Sequence, residues 1–213
     1  MLDVLLSLLK GIPATLMVTV GAFVLGAIIA VPLVLMRRSR SFPLRLIARV
    51  YIDVFRGIPP VVWLFIIFFG IGSGFLRFTS LQAAILGLGL VSSAYLAEIY
   101  RGGFLALPLG QSEAAIAMGM TRTDVLRFIL GPQVFRVCLP PMATFLVSLL
   151  KDGTVASTIG VRDVMMLVSQ EAQKAGGGFT PFLFAALLYI LLSIPVAYYS
   201  RAIDEALRRR IAR

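Results

Sequence analysis

Ile12-Pro-Ala-Thr-Leu-Met-Val-Thr-Val-Gly21-Ala-Phe-Val-Leu-Gly26-Ala-Ile-Ile-Ala-Val-Pro32-Leu-Val-Leu-Met36, followed at once by Arg37-Arg38-Ser-Arg40, decides the fold. A helix over residues 12–36, rising about 1.5 Å per residue, is longer than the ~30 Å hydrocarbon core of a bilayer. The basic cluster that ends it marks a membrane boundary. A signal peptide has a shorter apolar region, about 7–15 residues, and a small-residue cleavage site. Here Asp3 and Lys10 precede the run and no such site follows, so the run is a retained span.

The rest of the chain agrees with that stretch. Of 213 residues, 59% are hydrophobic and 14% charged, with a mean hydropathy of +0.96. A soluble domain averages about 45–50% apolar and about 25% charged, so a water-soluble globule and a disordered chain are both excluded. Further apolar runs cover about residues 58–75, 81–100, 134–150 and 179–199, the second preceded by an amphipathic stretch over 49–56. The expected fold is an all-α integral membrane protein, a single transmembrane domain over 1–213 with five helices. A polar loop over about 101–133 separates the third span from the fourth.

Five spans place the termini on opposite sides. Fifteen of the 20 basic residues, including Arg37, Arg38, Arg40, Arg101, Arg122 and the tail Arg201, Arg208, Arg209, Arg210 and Arg213, then fall on one side. The positive-inside bias assigns that side to the cytoplasm, with the N-terminus outside and the C-terminus inside. The formal charge of +10 is therefore membrane topology and not nucleic-acid binding.

Several chemistries lack their residues. There is no histidine, and Cys138 is the single cysteine, so neither a transition-metal cluster nor an internal disulfide is expected. Lys10, Lys151 and Lys174 follow Leu9, Leu150 and Gln173, so none completes a phosphate-binding G-x-x-x-x-G-K-[ST] loop. Only Glu98 brings a carboxylate into an apolar run, and an intramembrane enzyme needs more than one such group.

Two segments are too polar for their place. Leu109-Gly-Gln-Ser-Glu113-Ala-Ala-Ile-Ala-Met-Gly119-Met-Thr-Arg-Thr-Asp124 predicts a short helix in the cytoplasmic loop. Ser112 is its expected N-cap, with Glu113 in the first turn; Ala114, Ala115 and Ala117 propagate it, and Gly119 stops it. A new helix then begins at Thr121 or Thr123. A two-turn helix is marginal alone in water, so Ile116 and Met118 need cover, from a partner or from the chain's own cytoplasmic face. The second segment, Leu149-Leu-Lys-Asp-Gly-Thr-Val-Ala-Ser-Thr-Ile-Gly160, carries Lys151, Asp152, Thr154 and Ser157 at the end of the fourth span. Such a break either lines a pathway, as in transporters, or forms the external interface. Glu98, with Tyr95 and Arg101, leaves the same pair of readings open, a pathway group or a snorkelled pair. Pro59-Pro60 is expected to open the second span and Pro132 the fourth, with Pro140-Pro141 interrupting the latter.

Taken together, Glu113-Ala-Ala-x-x-x-Gly119 and Ile129-Leu-Gly-Pro132-Gln133 resemble the EAA loop of ABC-importer permeases of the polar amino acid subfamily. So do Ala48-Arg-Val-Tyr-Ile-Asp-Val-Phe-Arg-Gly-Ile-Pro59, Ala94-Tyr-Leu-Ala-Glu-Ile-Tyr-Arg101, Leu139-Pro-Pro141, Leu150-Lys-Asp152 and Ile159-Gly-Val161. The resemblance implies the type I importer fold and a permease dimer in a prokaryotic plasma membrane. Its EAA helix (Glu113, Ala114, Ala115, Ile116, Met118, Gly119) would seat in a cytoplasmic ATPase, two per complex, whose ATP and Mg this chain does not itself hold. An external solute-binding protein would deliver the solute, a polar or charged amino acid or a related opine, compatible solute or cystine. The pathway would be lined by Lys151, Asp152, Thr154 and Ser157, with Glu98 and Tyr95. A scaffold that merely anchors a partner through the same helix is the rival reading. The chain departs from the subfamily at Val91-Ser92-Ser93, Gly131, Ala143-Thr144-Phe145 and Gly153-Thr154-Val155. Polar groups are thus missing from the pathway wall while the EAA end is kept, a pattern that fits one half of a heterodimer, slightly favoured over a homodimer, and that a different solute would explain equally well.

Overall fold

The computed structural model describes residues 2–72, 77–174 and 176–211, with side chains described except at Leu2, 199–201 and 203–211. Among the described residues there are helices and no strands. A short α1 (Leu2–Leu9) leads into α2 (Ile12–Arg38), then α3 (Phe42–Gly57) and α4 (Pro60–Phe65), which continues as a π-helical turn over Ile66–Ile71. Next come α5 (Ser80–Leu105), the short α6 (Leu109–Ala117) and α7 (Arg122–Asp124). A π-helical turn over Val125–Leu130 joins α7 to α8 (Gly131–Asp152), which ends in a 3₁₀ segment, Gly153–Ile159. The chain closes with α9 (Val164–Lys174) and α10 (Thr180–Ile211).

Among the described residues, four stretches are long and apolar enough to cross a membrane: Asp3–Arg38, Ser80–Leu105, Arg122–Ile159 and Thr180–Tyr198. A fifth is reached by joining Phe42–Gly57 to Pro60–Ile71, two arms bent by 103°. The expected span over 58–75 is therefore only the second arm of a broken element, and its residues 73–75 lie outside the described residues. The break has a local cause. Ile58 and Pro59 are extended, with ψ of 133° and 140°, because a residue preceding proline is pushed out of the α region. Across the bend Phe55 stacks on Trp63, ring centroids 4.2 Å apart, and Tyr51 leans on Phe55 at 4.4 Å.

The fourth span also departs from expectation. Pro132 does not open it; the helix starts at Arg122 and passes Pro132 without a break. The π turn supplies the adjustment, with the Gly131 N–H bonding the Leu126 carbonyl five residues back. Pro140 and Pro141 likewise lie inside α8 and do not interrupt it.

The central contact is α2 against α5, which run side by side in one direction. Small residues allow the approach: a Cβ on Gly26 would come within 2.6 Å of the Ser92 Cβ, and one on Gly89 within 2.7 Å of Leu25. Around this pair Val18, Ala22, Leu64, Ala84, Leu88 and Ile159 form one buried cluster, and Ala30, Ile52, Ala94, Leu96 and Cys138 another. Leu8, Val164, Val168 and Leu188 form a third, tying α1, α9 and α10 together. On the opposite side of α2, Val20, Val24, Ile28, Val31 and Leu35 are exposed, an apolar stripe suited to lipid.

Gly26→Ala should therefore force the two helices apart and destabilise the protein by about 1–3 kcal/mol. Gly102→Ala, where a Cβ meets nothing within 4 Å, should be neutral or slightly stabilising, because glycine is a poor helix former. Thermal unfolding in detergent checks both: Gly26→Ala should lower Tm and Gly102→Ala should not.

Candidate functional site

The polar loop folds as two short helices joined by a tight turn. Pro108 precedes α6 with φ −61° and ψ 132°, so the helix begins at Leu109, three residues before the expected N-cap. Ser112 is not that cap: its hydroxyl donates to the Leu109 carbonyl at 2.9 Å, inside the helix. Glu113 consequently stands in mid-helix and not in the first turn. The stop is the expected one. Gly119 has φ +84°, its N–H bonds the Ile116 carbonyl, and the Met120 N–H bonds the Ala115 carbonyl, at 2.9 and 3.1 Å. That pairing is a Schellman motif, which needs a left-handed residue at Gly119. The next helix starts at Thr121, whose Oγ1 accepts from the Asp124 N–H.

Ala115 is buried beneath α6, while Leu109, Ile116 and Met118 are 79%, 51% and 83% exposed. Glu113, Ala114 and Gly119 are exposed as well. One side of the helix is thus anchored on the chain, and the other presents large apolar side chains with nothing over them.

The second polar segment is a true change of helix type. Lys151 and Asp152 end α8 with both side chains exposed. The 3₁₀ segment that follows uses its own hydroxyls: Thr154 donates to Lys151 O at 2.8 Å, Ser157 to Thr154 O at 2.8 Å, Thr158 to Val155 O at 2.7 Å. Gly160, at φ +91°, closes it. The hydroxyls keep acceptor lone pairs but are not free donors; the two charges are the open groups.

Glu98 and Tyr95 sit apart from that segment. The Glu98 carboxylate is held by Arg101 at 2.7 Å and by Arg37 of α2 at 3.5 Å. One turn earlier on α5, Tyr95 stacks on Phe145 of α8 (5.4 Å) and lies under the Arg56 guanidinium (5.1 Å). The structure brings Tyr95 to α8 and α3, and ties Glu98 into an interhelical ion cluster.

Sequence reasoning missed Asp163, which is 1% exposed. It caps α9, its Oδ1 accepting from the Met166 N–H at 2.8 Å, while Oδ2 is buried without a partner. Thr15 is beside it, accepting from the Val164 N–H at 3.2 Å. The signal that could have found the cap, though not its burial, is an acidic residue immediately before an apolar helix run. Burial pushes the Asp163 carboxyl up to about 6, against the opposing pull of the N–H groups around it.

The comparisons decide the family. The model for "binding-protein-dependent transport system inner membrane component" matches residues 22–209. The chain belongs to that family. It is 32% identical over 203 residues to the arginine transport system permease protein ArtQ of Bacillus subtilis, covering 94% of this chain and 92% of that one. It is 36% identical to the octopine transport system permease protein OccM of Rhizobium radiobacter, covering 94% and 86%. Among solved structures, one described as an amino acid ABC transporter with histidines superposes with a TM-score of 0.84 at 30% identity, covering 95% and 94%. The methionine transporter MetNI, at 23% identity and a TM-score of 0.79, shares the fold. The protein is thus a permease of the ABC importers for amino acids and related solutes, whose family works with a binding protein and an ATPase. Among the described residues no cluster of metal ligands is present.

Asp163 gives this permease a pH-dependent stability. Its folded value of about 6 lies above the ordinary 3.8, so its contribution is fully present below 3.8 and is lost as pH rises through about 6. Asp163→Asn keeps the cap acceptor without the charge. Tm measured across that window should fall in the unsubstituted protein and stay flatter in Asp163→Asn.

Proposed function

We propose that the chain is a multi-pass permease subunit of a prokaryotic plasma membrane, importing polar or charged amino acids or closely related solutes such as opines. ATP and Mg are held and used by two separate cytoplasmic ATPase subunits, and an external binding protein delivers the solute. The observation that carries the reading is α6, a short helix anchored by Ala115 on one side with Ile116 and Met118 uncovered on the other. A helix of this length needs a docking surface, and an ATPase cleft is the surface that the family supplies. The named solutes of the two relatives, arginine and octopine, both carry amino and carboxylate groups.

In this reading the domain spans 1–213 with its N-terminus outside and the loop over about 101–133 in the cytoplasm. Glu113, Ala114, Ala115, Ile116, Met118 and Gly119 form the coupling helix and its stop. ATPase closure moves this helix, and α7–α8, joined to it through the Gly119 turn, carries the movement to the pathway. Lys151, Asp152, Thr154 and Ser157 line that pathway, with Tyr95 on its wall; Glu98 holds α2 to α5 at its inner end. A heterodimer with a sister permease is favoured, because the expected polar groups at Val91-Ser92-Ser93 and Ala143-Thr144-Phe145 are absent. Alternating access transports only where the two states bind the solute differently.

In the reconstituted complex, Glu113→Ala and Gly119→Asp should each lower uptake at least tenfold while the subunits still insert; normal uptake and normal stimulated ATPase in both would refute the coupling role. Lys151→Met should change uptake kinetics without loss of assembly; unchanged kinetics would make Lys151 structural. For orientation, in a Cys138→Ser background, Lys174→Cys should react with an impermeant maleimide on intact cells and Arg40→Cys only after permeabilisation. The reverse pattern would invert the topology.

A further inference from the structure

The arginines of α3 are accounted for by topology alone in a reading of the sequence, yet Arg56 lies too deep for that. Its guanidinium is over the Tyr95 ring, whereas the level of the basic boundary is marked by Arg38, stacked on Phe104 at 4.1 Å. Nine helical residues separate Tyr95 from Phe104, about 14 Å along α5. Fifteen separate it from Ser80 at the other end, about 22 Å. Arg56 is therefore well inside the bundle's span, at the 103° break between α3 and α4. It makes no ion pair among the described residues; Asp53, three residues earlier, does not reach it. A charge at such depth costs at least about 2.5–3.5 kcal/mol unless it is paired or faces water.

The three faces of α3 show which. Ala48 and Ile52 are buried against the bundle. Ile47, Val50 and Val54 are exposed and apolar, a face fit for acyl chains. Arg45, Arg49, Asp53 and Arg56, at steps of four, four and three, make an exposed polar face that borders the buried side, Arg56 following Ile52 by one turn, and lies away from the apolar face. On α8 an equivalent row runs through Thr144, Ser148 and Lys151–Asp152. Phe145, next to Thr144 of that row, stacks on Tyr95 beneath Arg56.

We propose that the polar face of α3 lines the inner half of the translocation pathway and that Arg56 binds the carboxylate of the transported solute there, over the Tyr95–Phe145 pair. This rests on the importer reading and adds a site to it. A guanidinium stacked on an aromatic face keeps its N–H edge free for a carboxylate. Discontinuous helices are also where transporters gather such groups.

The test uses the full complex in proteoliposomes, in a Cys138→Ser background, with L-arginine, octopine, L-cystine and L-glutamine as probes. Arg56→Cys should assemble but lose at least tenfold in uptake rate. Modification with a cationic aminoethyl thiosulfonate should restore uptake, an anionic sulfonatoethyl one should not, and the transported solute should slow the modification. Arg40→Gln, at the membrane boundary, should leave uptake within twofold. Uptake by Arg56→Cys within twofold of the parent, equal rescue by both reagents, or modification unaffected by solute would each overturn the assignment. Slowing by anionic lipid but not by solute would overturn it in favour of a lipid phosphate. If the parent complex accumulates none of the four solutes while hydrolysing ATP, the importer reading itself falls, a result distinct from a failure at Arg56 alone.

Discussion

An unpaired backbone N–H or carbonyl in hydrocarbon costs several kcal/mol, and several irregularities of this chain stand where that demand is met internally. Pro132 would strip a bond from a regular helix; the π turn before it re-pairs the Gly131 N–H with Leu126. The change from α to 3₁₀ after Asp152 frees carbonyls, and Thr154, Ser157 and Thr158 take three of them. In α2, Thr15 and Thr19 turn buried hydroxyls back onto carbonyls four residues earlier. Polar residues that look out of place in an apolar sequence are in large part the means by which bent helices remain tolerable. Among the described residues, the charges at these bends that make no ion pair include Lys151, Asp152 and Arg56.

The same constraint separates what could be read from the sequence from what could not. Length and composition fixed the all-α membrane class, since residues 12–36 can hardly be anything but a span. The left-handed stop at Gly119 and the restart at Thr121 were also legible, because both are local: one needs a positive φ, the other a side-chain acceptor. The start of α6 was not. A proline at 108 sets the backbone for a helix beginning at the next residue, and it outweighs a serine placed well for capping. Proline also misled at 132 and 140–141, where neighbouring helices and the π turn carry the chain past positions that would end a helix in water. The bend at Ile58–Pro59 was visible as a start but not as a hinge, because its angle is held by Phe55 on Trp63, a contact between two elements.

The candidate site divides along similar lines. The proposed coupling residues fall in one short stretch, so the resemblance of a single motif collects them. Glu98 is different. Its i,i+3 partner Arg101 is apparent in the sequence, but Arg37 comes from a helix 61 positions earlier, and only the α2–α5 register brings it in. With two cations on one carboxylate, Glu98 ties α2 to α5, the pair whose approach depends on Gly26. Asp163 escaped notice for the same reason, since its burial is made by Thr15 and the α1–α2 corner. Long-range burial converts an ordinary surface-type residue into a structural one, and no local pattern records it.

The central claim is that a short cytoplasmic helix is completed by a separate nucleotide-hydrolysing subunit. Its most direct test is hydrogen–deuterium exchange over residues 109–120, comparing the isolated permease with the assembly it forms with its ATPase. The account predicts exchange within seconds in the isolated chain, where Ile116 and Met118 are uncovered, and strong protection of the same amides in the assembly. Equal and rapid exchange in both would contradict it.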